Sequence, residues 1–391
     1  MRPLRIHRTF VFAAMAVACT IQSMPAQAPQ VAVDIPEGVP LQVAARDFSA
    51  SEFEMRGGAI VIHLAGSVRF RHQGTDPVRA IALRVAASQE TLGGRATVTV
   101  PSLHAAQDEH FEVPLNLRLV RPLPLGQGPA VRIEPDAVLF ASLAAAGPNR
   151  LDSIRKLTVL EMEARRDRAY FLAQWRRGGK TALTAAMQAS LRRQAARPRL
   201  EVRLAGQGPA TVAAAPPIRE MEIAFVNQPD APLVLESGSA RVSGLVSDAP
   251  RFLLRSRAGR AVRHFDIGWL VRGSDGSLYS VGSAPVARQT GVVGQQAQET
   301  TGEGRYLIRP SADESGPGIG AMLAYLRSAQ LEDGTVWVPS REALEVSRLA
   351  EAVPVSAEEQ RLSQMYREQG AEAIAEELRK FDQSVGGARE N

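Results

Sequence analysis

"WRRGGKTAL", residues 175–183, ends in Gly-Gly-Lys-Thr, which resembles the closing half of a phosphate-binding loop. Read as a nucleotide loop, it would demand a strand before it and a parallel α/β fold around it. Read as a turn, it would join two helices. A loop of the form G-x-x-x-x-G-K-[ST] wraps backbone amides around phosphates and needs glycine five places before its second glycine. That place holds Gln174. The flanks also read as helix. "KTALTAAMQASLRRQ" sets Leu183, Met187 and Leu191 at i, i+4 and i+8, and the stretch from Leu151 to Trp175 is rich in Arg, Ala, Leu and Glu at helical spacings. Gly178-Gly179 then stands where a left-handed turn favours glycine. The stretch predicts helix–Gly–helix.

A second copy of this pattern supports the turn. Set "AQWRRGGKTAL" (173–183) against "SQMYREQGAEAI" (363–374), matching Gly179 to Gly370. Trp175 meets Tyr366, Arg176 meets Arg367, Ala182 meets Ala373 and Leu183 meets Ile374. Gly-Gly-Lys-Thr becomes Gln369-Gly370-Ala371-Glu372, so only the turn glycine is shared.

Upstream of each copy the chain alternates. "FEVPLNLRLV" (111–120) puts Phe111, Val113, Leu115, Leu117 and Leu119 on one face and polar residues with Pro114 on the other. That is a half-buried strand, and the proline suggests a sheet edge. "VRAIALRV" (78–85), "RATVTV" (95–100) and "VRIEPDAVLF" (131–140) extend the β pattern. So do "HFDIGWLV" (264–271), the turn "GSDGS" (273–277) and "LEDGTVWVP" (331–339). Placing Val78-Arg79 on Val262-Arg263 brings Ile81, Leu83 and Val85 onto Phe265, Ile267 and Trp269. Val138-Leu139-Phe140 resembles Thr335-Val336-Trp337.

The fold class expected is therefore mixed and mainly β. It is a tandem duplication of an antiparallel β-sandwich followed by a helical hairpin. The sandwiches resemble immunoglobulin-like domains at the level of fold, without a Cys–Trp–Cys framework. The expected organisation is a signal peptide over 1–28, a first sandwich over 29–148 and a first hairpin over 149–197. A linker over 198–217, a second sandwich over 218–340, a second hairpin over 341–384 and a tail over 385–391 follow.

The first residues read as an export signal. Arg2, Arg5 and Arg8 precede a short apolar run from Thr9 to about Ala18, and Ala26-Gln27-Ala28 offers a cleavage site. The run is shorter than the ~20 residues a membrane-spanning helix needs. Cys19, the one cysteine, follows Ala16-Val17-Ala18. It reads as a small residue of the signal, with a lipidated cysteine as the less favoured alternative. Without disulfides an exported chain must hold itself by core burial. Cleavage after Ala28 leaves roughly 363 of 391 residues, enough for two cores.

The pI of about 9.8 does not imply a nucleic-acid partner. The net charge of +5 includes the three leader arginines, and no basic stretch interleaves with aromatics. Charge does divide the helical segments. Residues 150–199 hold 13 Lys/Arg against 4 Asp/Glu, and residues 341–391 hold 7 against 11. The two hairpins are expected to pack on each other, within a chain or between chains.

Few residues invite chemistry. His104 and His110, with Asp108 and Glu109 between them, read as a polar loop entering a strand rather than a metal cage. His63, His72 and His264 read as surface or rim residues. Glu161 and Glu163, two apart on a helix, face different ways. Trp269 and Trp337 read as core. No residue is assigned a catalytic, cofactor-binding or metal-binding role. The expected function is an exported envelope protein, non-catalytic, that binds or scaffolds a protein or an envelope polymer. The alternative is a hydrolase of envelope polymers with its site near His264, Asp266 and the polar loop 286–304.

Overall fold

The computed structural model describes residues 31–88, 91, 93–123, 128–196, 200–204, 217–244, 246–248, 250–257, 261–273, 278–280, 298–301, 305–310 and 319–386. The leader, Cys19 and residues 286–297 and 302–304 of the polar loop lie outside them. In the first half the strands are β1 (Val31–Val33), β2 (Leu41–Asp47), β3 (Glu52–Arg56), β4 (Ala59–His72), β5 (Val78–Ala87), β6 (Arg95–Val100), β7 (His110–Pro122), β8 (Val131–Phe140) and β9 (Ala145–Ala146). The helix α1 (Ser153–Ala196) follows. In the second half they are β10 (Leu200–Leu204), β11 (Arg219–Phe225), β12 (Leu233–Ser243), β13 (Val246–Asp248), β14 (Arg251–Ser256), β15 (Val262–Gly273), β16 (Leu278–Ser280), β17 (Gln298–Thr301), β18 (Arg305–Pro310), β19 (Ile319–Leu331) and β20 (Val336–Trp337). Helices α2 (Arg341–Val346), α3 (Leu349–Ala352) and α4 (Ala357–Gly386) end the chain. The protein is mainly β, with several sheets and a few helices.

The alternation in 111–120 does what it predicts. Phe111, Val113, Leu115 and Leu119 are buried, Leu117 is half-buried against the same core, and Glu112, Pro114, Asn116 and Arg118 are exposed. Among the described residues β7 pairs only with β4, over the register Ala59↔Pro122 to Arg71↔His110. Pro114, which has no N–H to give a ladder, therefore sits in an edge strand. The inner faces of β4 and β7 meet those of β5 and β8 in one core that includes Ile62, Leu64, Ile81, Leu83 and Ile133. Each such side chain, fully buried, contributes roughly 1.5–3 kcal/mol. His72 departs from expectation. It continues the inward phase of Val68 and Phe70, is fully buried and stacks on Phe140 at 6.0 Å.

β5 is buried on nearly every residue because both its faces are covered. Ile81, Leu83 and Val85 enter the core between the sheets. Ala80 and Ala82, with Ala137 and Leu139 of β8, face Leu157 of α1. Alanines there let the helix approach the sheet closely. In the second half Ile267, Trp269 and Val271 of β15 enter a core with Phe252 and Leu254. The other face presents Leu270 and Tyr325 to Leu344 and Leu349 of α2 and α3.

The two halves run the same local ladder. β1 pairs parallel with β8, β8 antiparallel with β5, and β5 with β6. The last three residues of β11 pair parallel with β19, β19 antiparallel with β15, and β15 with β16. Irregularities fall between Val78 and Ala80 and between Ala82 and Leu83 in one, and between Val262 and His264 and between Asp266 and Ile267 in the other. These are the positions that the match of Val78 to Val262 sets side by side. The match of Val138-Leu139-Phe140 to Thr335-Val336-Trp337 does not hold. Phe140 pairs with Val78 as Leu331 pairs with Val262, and Val336-Trp337 form β20, which pairs with β19 as β9 pairs with β8.

Other features follow no local signal. The region read as a linker holds β10, which pairs with β18 about a hundred residues on. Helical structure over 341–384 is not one hairpin. α2 and α3 are short, separated by Arg348 at φ 58° and followed by Val353-Pro354, and they pack on the second sheet.

α1 and α4 each break at a glycine. Gly179 has φ 57° and Gly370 has φ 84°; beside Gly179, Gly178 also leaves helical geometry. Arg361 and Glu377 meet at 2.8 Å across Gly370. On a straight helix they would stand ~24 Å apart, so the chain doubles back there. Phe171, Leu183 and Met187 of α1 share a buried cluster with Leu362, Ile374 and Leu378 of α4. Each trio sits eight before, four after and eight after its turn glycine. The hairpins thus pack on each other within one chain. Gly370 also has ψ −174°, a conformation closed to other residues at low cost. Gly370→Ala should destabilise the protein by about 1–3 kcal/mol in urea unfolding, and a change below 0.5 kcal/mol, on the order of an ordinary surface substitution, would contradict the turn assignment.

Candidate functional site

The opposite charges of the hairpins meet where the helices pack. On the surface Arg176 reaches Asp382 and Lys180 reaches Glu372, each at 2.6 Å. Exposed pairs of this kind are screened by water and contribute little to stability. Lys180 of the Gly-Gly-Lys-Thr stretch is thus a surface partner of the second hairpin.

The buried pairs matter more. Asp167 has no exposed surface. Both its oxygens take hydrogen bonds from Arg166 at 2.9 Å, and Oδ2 also accepts from the Ser356 hydroxyl at 2.5 Å. Ser356 is the residue before α4, and its oxygen accepts from the Glu359 amide at 3.0 Å. One hydroxyl therefore caps α4 and ties it to α1. Glu359 accepts from Ser190 and Arg193 at 2.6 Å and from Arg341 at 2.9 Å. Both arms of α1, α2 and the start of α4 converge on these carboxylates. Arg155 of α1 also reaches Asp266 of β15 at 3.3 Å, and the Arg166 guanidinium donates to the Pro339 carbonyl at 3.2 Å. α1 is thereby fastened to the second β block as well as to its own.

Beside this clasp lies a cavity of about 290 Å³, lined by Glu163 and Arg166 of α1, Trp269 of β15, Tyr325 and Arg327 of β19, and Gln360 of α4. The Tyr325 ring lies over Gly268, where any Cβ would overlap it. Burial holds the Glu163 carboxyl above its usual range. Arg327 and Arg166 pull it down, whereas Asp167 and Asp266 push it further up. A carboxylic acid held so can give a proton or a hydrogen bond closer to neutrality than a free glutamate does.

The residues singled out in the sequence are scattered. His104 touches the Arg79 guanidinium through Nδ1 at 2.5 Å and packs on Phe381 at 5.3 Å. Asp108 pairs with Arg71, the Glu109 carboxylate takes the Ala106 amide, and His110 is exposed. Among the described residues no three of His, Cys, Asp and Glu gather as metal ligands. Trp269 is core and Trp337 packs against the same cluster. Asp266 accepts from Ser328 at 3.0 Å, and His264 is half-buried on β15. Glu161 and Glu163 do face apart, since Glu163 lines this cavity and Glu161 a second one on another side of α1. The sequence reading named Glu163 only to set it aside as unpaired with Glu161, and it missed Tyr325 and Arg327. Only the helical and strand phases of these residues were legible, and neither reveals which phases meet.

Two outcomes test this geometry. Asp167→Ala leaves the half-buried Arg166 without the carboxylate that takes both its hydrogen bonds, and Ser356 without its acceptor, and should cost about 3–5 kcal/mol in denaturant unfolding. Glu163→Gln should act through pH. A raised folded-state value means that folding is disfavoured as pH rises through it, because the buried carboxyl must ionise. The variant, which cannot ionise, should melt near the wild type at pH 4 and progressively above it toward pH 8. An unchanging difference across that range would contradict the buried acid.

Comparisons with known proteins add no family. No family model matches the chain, and no curated protein matches it. Among solved structures, an allantoicase aligns with 66% of this chain and 76% of its own at 7% identity, with a TM-score of 0.08. A likeness that weak carries no argument about fold or activity.

Proposed function

We propose that the chain is an exported envelope protein that binds or scaffolds rather than catalyses, built from two related units. Each unit is an immunoglobulin-like β-sandwich followed by a helical hairpin, and the pair arose by duplication. The shared irregularities at Val78 and Val262 support the relationship, as do the buried trios at equal distances around Gly179 and Gly370. The observation that carries the function is the clasp around Asp167 and Glu359. It locks two β blocks in one orientation, which suits a protein that presents surfaces at a set spacing. Export rests on the leader, with cleavage after Ala28 favoured over lipidation at Cys19. Among the described residues no helix is long and apolar enough to cross a membrane.

The test is a pull-down of the tagged chain from residue 29 to residue 391 against envelope extract of its source, with mass spectrometry of what is retained. A saturable partner that competes with untagged protein is expected. Repeated blanks after mild crosslinking would defeat the reading. Intact mass of the secreted protein, expected to begin at Pro29, tests export separately.

One observation favours a second reading, a hydrolase of envelope polymers. Glu163 is a half-buried acid whose carboxyl is held above its usual range, in a cavity also lined by Trp269 and Tyr325. If it is a general acid, Glu163→Gln should lower hydrolysis of isolated envelope polymer by about 10²–10⁴-fold. Hydrolysis unaffected by that substitution removes Glu163 from the role.

A further inference from the structure

A second cavity, of about 620 Å³, opens between the first β block and the helical layer. Its walls come from the start of β5, the middle of α1 and the last turns of α4. Volumes of this order hold small organic ligands.

The charge on its walls is unbalanced. Five guanidiniums, those of Arg79, Arg165, Arg168, Arg176 and Arg177, face two carboxylates, Glu161 and Asp382. On the floor, Arg165 and Arg168 both donate to a single oxygen of Glu161, at 3.0 and 2.6 Å. Nη1 of Arg168 is buried and makes no hydrogen bond. The nearest further carboxylate, Glu358, is 3.7 Å away and already takes two hydrogen bonds from Arg361, at 3.0 and 2.9 Å. Burial pulls the Arg79 guanidinium down to about 10; Glu161 opposes this, and Arg168 and Arg165 add to it. Of the five, Arg79 and Arg168 are buried, Arg165 is half-buried and Arg176 and Arg177 are exposed. The two buried guanidiniums cost free energy that a bound anion would partly recover.

The cations are also held in place. The Phe381 ring lies 4.0 Å from the Arg168 guanidinium and 4.7 Å from that of Arg79. Arg79 is fixed further by His104 Nδ1, on a ring that burial and Arg79 itself keep below its ordinary value and hence neutral near pH 7. Guanidiniums fixed in plane lose little freedom on meeting an oxyanion. The remaining wall is apolar, with Leu172 of α1 and Leu378 of α4. At the opposite contact between hairpins, Ser190 and Arg193 hydrogen-bond Glu359 and close the space.

We propose that this pocket binds a small organic anion, an oxyanion head of carboxylate or phosphate type on a short apolar body. The head meets Arg165 and Arg168, and the body lies along Leu172 and Leu378. Arg176 and Arg177, exposed at the mouth, draw the anion in. This site is independent of the binding or scaffolding reading and of Glu163.

Calorimetric titration of the full chain with octanoate, octyl phosphate, inorganic phosphate and octanol tests it. Saturable one-to-one binding of octanoate or octyl phosphate is expected, weakening with salt. Whichever of the two binds more tightly names the head. The double variant Arg176→Gln/Arg177→Gln removes only exposed charges and should weaken binding about tenfold. Ala173→Trp, placed at an exposed alanine of the pocket wall, should abolish binding while the melting temperature stays near wild type. No saturable binding of either octyl anion would overturn the proposal. So would octanol binding as tightly as octanoate, inorganic phosphate binding as tightly as octyl phosphate, or full binding by Ala173→Trp.

Discussion

Asp167 is an anion with no contact to water, and the structure is arranged around keeping it paired. Two arginines and a serine hydroxyl surround it, drawn from α1, α2 and the residue ahead of α4. Removing a carboxylate from water costs several kcal/mol, and only near-complete pairing offsets this. The requirement is geometric. α4 must begin at Ser356, α2 must present Arg341, and α1 must run straight to Gly179. A carboxylate that tolerates so few arrangements selects one packing of the helices among the many that apolar contacts alone would permit.

The apolar layers alone would be permissive. The helical cluster consists of Phe, Leu, Ile, Met and Ala, residues that repack with small losses if volume is kept. The buried ion pairs add direction to that cohesion. The exposed pairs, Lys180–Glu372 and Arg176–Asp382, repeat the same charge logic with little energy. Charge complementarity between the hairpins thus acts at two depths, and only the deeper level specifies the arrangement.

Strand phase, the two glycine turns and the opposed charges of the hairpins were legible because each is written in residues close in sequence. Phe111 to Leu119 declare a face, and Gly370 declares a reversal. The correspondence of Val78 with Val262 was legible because bulges leave their residues in a recognisable order. The correspondence proposed for Val138–Phe140 slipped by several residues, since short apolar runs at strand ends look alike. His72 was misplaced because a histidine suggests solvent, although its phase pointed inward. What could not be read was pairing across distance. Nothing near Leu200 announces that it will join Pro310, and nothing in α1 announces that Glu163 and Arg327 will share a cavity.

That same distance has a kinetic side. β1 meets β8 a hundred residues later, β11 meets β19 at a similar separation, and the two hairpins come together only after the second β block has been made. Contacts so far apart in the chain must close large loops before they return any energy, which makes such topologies slow to form. Each hairpin, by contrast, turns within one or two glycines, so its contacts are local. The lock at Asp167 needs Arg341 and Ser356, so it can close only once the second β block has been made. The order of synthesis and the order of closure therefore run together: a serine from the last tenth of the chain completes a pairing begun on α1.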